Sequence, residues 1–281
     1  MKVAVVGTGN VGSALLFHLA DVPSVEEILV MNLQNDWSMA AIMDVASANP
    51  EDAARMKVAS FDQIGEADLL AMTSGAQMKE GEKGKDVLDA NIQIMDSILD
   101  SAPLKDGAIV ISLATPVDDI TAHVQKRYQL HRNHVIGFGG DLDRNRLSYV
   151  LHERSLSDDD AHMIGEHGGR SIPVYLGESD FAAVRHKVQN FLGEITTQGG
   201  RPRNLATGLL FARLIDSVAN DKDIIHYVCG LHPDFDLYIT WPYQIGRSGV
   251  GPPRRIILPP KAQQAFDGLM DRKREELSND S

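Results

Sequence analysis

Lys2-Val3-Ala4-Val5-Val6-Gly7-Thr8-Gly9-Asn10-Val11-Gly12 is the stretch on which the fold turns. An unbroken apolar run over 2–6 predicts a strand buried on both faces. The residues after Gly9 predict a helix over 11–20, with Val11, Ala14, Leu15 and Leu19 on one face. Between them Gly7, Gly9 and Gly12 stand at the spacing G-x-G-x-x-G. The first glycine permits a tight turn, the second lets a phosphate approach the backbone, and the third lets helix and strand pack closely. A pyrophosphate then sits at the positive end of the helix. The spacing alone is weak evidence; its position between a strand and a helix gives it meaning.

The pattern continues outward. Strands are expected at Glu27–Leu33, Lys57–Ser60, Ala67–Thr73, Ala108–Leu113 and His134–Gly137. Helices are expected at Ser38–Ala46, Asp86–Ser101 and Val117–Gln129. The polar stretch Gln77–Lys85, with Gly81, Gly84 and three lysines, reads as a mobile loop. Strands alternating with helices imply an α/β fold, a doubly wound parallel sheet covered on both faces. Residues 1–142 form this dinucleotide-binding domain. Residues 143–281 read as a mixed α+β catalytic domain. It has a helix at Arg144–Glu153, strands at Ser171–Leu176 and Phe235–Thr240, and hairpin strands within Tyr243–Leu258. A closing amphipathic helix at Ala262–Leu277 turns Phe266, Leu269, Met270 and Leu277 inward.

Composition removes several classes. The 281 residues carry a formal charge of −12, so nucleic-acid binding has no electrostatic support. The single Cys229 gives no disulfide framework and no cysteine metal site, and it reads as a small buried hydrophobe. No apolar run is long enough for a membrane span. A strand starting at Lys2 leaves no room for a signal peptide, so a cytoplasmic protein is expected. The ten histidines show no metal-ligand spacing with Cys or acids; His131 and His134 are i,i+3, but in a segment that reads as a loop leading into a strand. A nucleophile elbow and a phosphate-binding lysine after the glycine loop are both lacking.

The residue ending the second strand usually binds the adenine ribose. Here it is Asn32, which can bond a hydroxyl without charge. Asn32 also repels a 2′-phosphate less than an acid would, but no Arg or Lys lies between Asn32 and Asp44 to hold one. NAD is favoured and NADP stays open. Asp36 is an alternative acid if the loop bends back.

Six segments, in order and in approximate register, resemble the lactate/malate dehydrogenase family over nearly the whole chain. They are Gly7–Gly12, Thr73-Ser74-Gly75-Ala76, Thr115-Pro116-Val117-Asp118, Leu142-Asp143-Arg144-Asn145-Arg146, Gly165-Glu166-His167-Gly168 and Gly246-Arg247-Ser248-Gly249-Val250. The resemblance implies a Rossmann cofactor domain followed by a catalytic domain. It implies NAD contacts from Gly7, Gly9, Asn10, Val11, Gly12, Asn32, Thr73, Gly75, Ala76, Leu113 and Thr115. His167 and Asp143 match the proton-transfer pair, and Arg146 matches the arginine that grips the substrate carboxylate through two parallel bonds. Thr207 matches a small residue over the substrate. A 2-oxo or 2-hydroxy acid is the implied substrate, and a homodimer or homotetramer the implied assembly.

The departures sit at the reacting centre. The family's carbonyl-polarising arginine falls on Gly84, between Lys83 and Lys85. The residue that selects the substrate side chain falls on Met78, and the usual substrate-contacting Asn on Thr115. The residue after His-Gly, commonly Asp, is Gly169, followed by Arg170. Three readings remain open. Lys83 or Lys85 replaces the missing cation and Met78 lines an apolar pocket, disfavouring oxaloacetate. Alternatively, an unusual substrate's own groups, or Arg170, supply the contacts. Or the chain keeps fold and dinucleotide, has lost turnover, and serves a binding or regulatory role.

Overall fold

The computed structural model describes residues 1–76, 84–200 and 204–279. The first half alternates as expected: β1 (Lys2–Val6), α1 (Asn10–Leu19), β2 (Glu27–Met31), α2 (Asn35–Ala48), α3 (Pro50–Ala53), β3 (Met56–Ala59) and β4 (Leu69–Met72). It continues through α4 (Gly84–Leu99), β5 (Ile109–Ser112), α5 (Val117–Tyr128) and β6 (Val135–Phe138). The six strands are parallel in the order β3-β2-β1-β4-β5-β6. The chain leaves β1 in one direction and returns to its other side at β4. The crevice at the carboxyl ends of these two strands is where such sheets bind ligands. Alternate residues of β1 feed opposite faces. Val3 and Val5 join Leu15, Leu16 and Leu19 in one core, while Ala4 and Val6 join Ile98, Ile120 and Val124 in another.

The second half contains α6 (Gly140–Glu153), β7 (His162–Gly165), β8 (Ser171–Val174), α7 (Phe181–Gln189), α8 (Phe191–Gly199) and α9 (Leu205–Ala219). It ends with β9 (Ile224–His232), β10 (Leu237–Gly246), β11 (Gly249–Pro253) and α10 (Pro260–Asn279). The sheet does not stop at β6. β9 pairs antiparallel with it, at Gly137↔Cys229 and Phe138↔Val228, and the order runs on as β9-β10-β7-β8 with β11 on β10. α9 closes back over the first half. A side chain at Gly208 would lie 2.6 Å from the Ala14 backbone of α1, and Phe211 stacks on Phe138 at 4.8 Å.

Several boundaries differ from expectation for identifiable reasons. The helix expected from Arg144 begins at Gly140, so residues 142 and 143 both lie inside α6. Its glycines are there for close approach: a side chain at Gly140 would meet Thr240 and the Tyr227 carbonyl at 2.5 and 2.6 Å. The strand expected to end at Thr240 runs through Trp241-Pro242 to Gly246, with a register shift between Tyr243 and Ile245. Its hairpin partner ends at Pro253 rather than near Leu258, at a Pro pair that lacks N–H donors. α10 buries Phe266, Leu269 and Met270 as expected; the Leu277 side chain lies outside the described residues. Cys229 is buried, as expected.

Candidate active site

The glycine turn has the geometry its spacing implies. Gly7 has φ +99°, and a side chain there would lie 2.8 Å from the Ser74 amide. Gly12 approaches the Gly7 carbonyl so closely that a Cβ would lie 1.9 Å from it. Gly9 caps α1 with no side-chain bond, and nothing lies within 4 Å of where its Cβ would be. The N-terminus of α1 thus has no side-chain cap and has room beside Gly9 for a pyrophosphate. Asn10 is exposed and Val11 half-buried at this end.

Around this cradle the loops are tied together. Thr73 Oγ1 donates to the Gly7 carbonyl at 2.7 Å, joining the ends of β4 and β1. Asn32, at the end of β2, donates from Nδ2 to Thr8 Oγ1 at 2.6 Å, which leaves its carbonyl oxygen for a ribose hydroxyl. Asp36 is exposed in the first turn of α2. Asn91, buried on α4, escaped the sequence reading. It accepts from the Ala76 amide and donates to the Thr115 carbonyl, both at 2.6 Å, and so bridges the loops after β4 and β5. A buried polar residue on an otherwise apolar helix stripe was its only signal. Thr115 precedes a cis proline; Gly75 and Thr115 are exposed, and Leu113 and Ala76 are half-buried. The buried Ser74 hydroxyl has no partner within the protein. An open cradle, a free helix end and an orphaned hydroxyl beside it fit a dinucleotide.

The expected proton-transfer pair, His167 and Asp143, comes together from two elements 24 residues apart. Asp143, in the first turn of α6, is 2 % exposed; His167 follows β7. His167 Nδ1 lies 2.8 Å from Asp143 Oδ2, which also accepts the Gly168 amide at 3.2 Å. Arg146, one turn along α6, donates from Nη1 to Asp143 Oδ1 at 3.0 Å. The histidine ring packs over Gly139, where any Cβ would lie 2.5 Å from it. Burial by itself pushes the Asp143 carboxyl up, but His167, Arg146 and the Gly168 amide overcome it and hold the acid below its ordinary range. Burial likewise disfavours the imidazolium, and the Asp143 charge and hydrogen bond more than offset this, so the His167 pKa is raised above 6.5.

The other flank of His167 carries charges the sequence reading did not connect. Asp118, near the start of α5, is buried and accepts the His167 amide at 3.3 Å through Oδ2, while Oδ1 has no partner. Burial pushes its carboxyl up to about 6, against the pull of Lys273 and His167. Glu166 pairs with Lys273 and with Arg170. Arg170 also reaches Glu276 at 3.0 Å, so this guanidinium is held by two carboxylates rather than free to supply substrate contacts as anticipated.

The remaining expected positions are scattered. Met78 and Lys83, like most of the loop expected at Gln77–Lys85, lie outside the described residues; Gly84 and Lys85 open α4, with Lys85 exposed. Thr207 is buried in the first turn of α9. Among the described residues no three His, Cys, Asp or Glu side chains gather to hold a metal, and no helix is long and apolar enough to cross a membrane.

Residues 1–137 match the family described as lactate/malate dehydrogenase, NAD binding domain. The chain is 27% identical over 300 residues to L-lactate dehydrogenase 2 of Peribacillus psychrosaccharolyticus, covering 94% of this chain and 92% of that protein. L-lactate dehydrogenase 1 of Staphylococcus aureus strain JH9 is 27% identical over 298 residues, with the same coverage. Two solved structures share the fold, each with a TM-score of 0.84 over 99% of this chain and 98% of the other. One is a lactate dehydrogenase enzyme from a Medee basin deep-sea metagenome library, at 21% identity, and the other the malate dehydrogenase from Aeropyrum pernix, at 20%. The open cradle at Gly9 and these matches lead to one conclusion: the first 137 residues match the NAD binding domain of the lactate/malate dehydrogenases, the chain is similar to L-lactate dehydrogenases over nearly its whole length, and its cofactor is NAD.

Proposed function

We propose that the protein interconverts a 2-oxo acid and its 2-hydroxy acid, with a substrate side chain other than the carboxymethyl group of oxaloacetate. The observation that carries this is the His167–Asp143–Arg146 constellation, joined at 2.8 and 3.0 Å. NADH, when bound, supplies the hydride. Gly7, Gly9, Gly12 and the first turn of α1 hold its pyrophosphate, and Asn32 its ribose. Asp143 holds His167 Nδ1, which leaves Nε2 to give a proton to the substrate oxygen. Asp143 also stabilises the imidazolium and fixes the ring. Arg146 spends one nitrogen on Asp143; its other donors remain for the substrate carboxylate. The cation that polarises the carbonyl is then Lys83 or Lys85 in place of the arginine absent at Gly84, and Met78 lines the side-chain pocket. Thr115 and Thr207 complete the substrate contacts. We place the protein in the cytoplasm as a homodimer or homotetramer, on the family resemblance and the single buried cysteine.

Gly84 also favours a second reading, in which the dinucleotide binds without turnover and the protein regulates or binds. Absorbance loss of NADH against pyruvate, oxaloacetate and branched, aromatic and long-chain 2-oxo acids separates the two. Turnover with an apolar class and little with oxaloacetate is the expected result. Saturable NADH binding with no turnover on any acid would overturn it in favour of the second reading.

A further inference from the structure

The turn that carries His167 is gripped from behind by the last helix. Lys273 Nζ lies 2.5 Å from Glu166 Oε1, and both side chains are almost buried, at 9% and 12% exposure. Two residues beyond Gly168, Arg170 bonds Glu166 Oε2 at 3.1 Å and Glu276 at 3.0 Å. Both ends of the segment are thus fastened to α10. The helix itself is anchored, with Ala262, Phe266 and Leu269 in the core, and Glu178 accepts the Lys261 and Ala262 amides at 3.0 and 2.8 Å. Lys273 is therefore presented from a fixed support.

A buried ammonium needs counter-charge. Beyond Glu166, the acids acting on Lys273 are Asp118 and Asp119. Asp118 is in the complementary position. It is buried, takes one N–H bond from the protein backbone at His167, and has one oxygen with no partner. The groups acting on it are Lys273, Glu166, His167 and Cys229. A carboxylate so poorly supplied with donors is costly to bury without a nearby cation. Glu166 has Arg170 in reserve; Asp118 has, besides Lys273, only the His167 turn and the weakly donating Cys229 thiol.

We propose that Lys273 is a positioning residue for His167: its ammonium is the counter-charge that lets Asp118 remain an acceptor for the His167 amide, and so keeps the histidine turn in register with Asp143. Its kinetic consequence rests on His167 being the proton donor proposed above; its structural consequence does not.

The test compares Lys273→Met, Lys273→Arg and the double variant Lys273→Met/Asp118→Asn with the wild-type protein. The measurements are hydrogen–deuterium exchange over 162–172, kcat, KM and the NADH dissociation constant. An asparagine at 118 still accepts the His167 amide but needs no counter-charge. Lys273→Met should speed exchange in this segment about tenfold and lower kcat at least tenfold, with NADH affinity within about twofold. Lys273→Arg should keep wild-type exchange and kcat, and the double variant should recover most of the loss. Wild-type exchange in a folded Lys273→Met protein would overturn the proposal. So would an Arg variant as impaired as the Met variant, or a double variant with no recovery. If Lys273→Met does not fold, folding of the double variant supports the proposal and its failure overturns it. If the wild-type protein turns over no acid, the function reading falls and the exchange measurements alone decide the role of Lys273.

Discussion

The two flanks of His167 each bury one aspartate, and the two acids end in opposite states. Asp143, on the α6 flank, receives three donors: the His167 ring, the Gly168 amide and the Arg146 guanidinium. It is held below the usual carboxylate range. Asp118, on the α5 flank, receives one amide from the backbone and is pushed up to about 6. Burial is comparable at 2% and 4% exposure, so desolvation does not separate them. The number of donors and the proximity of cations do. One flank is built to hold a charge facing the chemistry. The other holds its charge against burial with help from Lys273 on α10, from His167 and from the Cys229 thiol.

The comparison is broken most severely at Asp143. Asp143→Asn should lower kcat by about 10³-fold or more, since an amide in place of the carboxylate no longer stabilises imidazolium and can select the wrong tautomer. NADH affinity, read by fluorescence titration, should stay unchanged; retained turnover would remove the pair from the chemistry. Arg146→Ala comes next, raising KM for the 2-oxo acid about 10²-fold through loss of a charge-assisted fork. An unchanged KM would sink the carboxylate-gripping role.

Protonation gives a smaller, directional test. Reduction needs imidazolium, so its rate should fall as pH rises through the His167 pKa, which lies above 6.5; oxidation should show the opposite dependence. Stability follows the same sign: the His167 contribution is full below about 6.5 and is lost as pH rises through the raised folded value. A pH–rate profile falling already below pH 6.5 would contradict the Asp143 coupling. Smallest is Asp118→Asn. The folded state binds a proton more tightly at Asp118 than the unfolded chain does, so stability declines between about pH 4 and 6 on its account. Replacing it should raise stability by about 2 kcal/mol above pH 6 and by little below pH 4, measured by thermal unfolding at both. A uniform loss at both pH values would mean that the amide contact outweighs the charge.

The sequence was most informative where function depends on local spacing. Gly7, Gly9 and Gly12 sit within one turn, so strand, helix and cradle could be read together. Asp143 and His167 could be paired only through family register, and they meet as that register implies. Elements without a local signature were missed. α9 buries residues on several sides, so it lacks the single stripe that marks a surface helix. β9 mixes His226, Tyr227, Cys229 and Gly230, and its pairing with β6 lies about 90 residues away in sequence. The helix bearing Asp143 was started too late because Gly139 and Gly140 resemble a turn; their purpose is to admit the His167 ring and Thr240. Arg170, one of the groups the sequence leaves open for substrate contacts, is held by Glu166 and by Glu276, and the latter is 106 residues away in sequence. Lys273 was unreadable for the same reason.

The β6–β9 ladder has a consequence for the growing chain. β6 ends at Phe138, while its outer partner begins at Ile224. Every amino-terminal fragment that stops before residue 224 therefore presents β6 as a bare hydrophobic edge, with Phe138 lacking the Phe211 ring too if the fragment stops before α9. Such edges recruit other strands. The cofactor half, although complete in its own parallel pairing, is expected to aggregate when expressed alone, and a nascent chain on the ribosome passes through the same vulnerable length before β9 emerges to cover it.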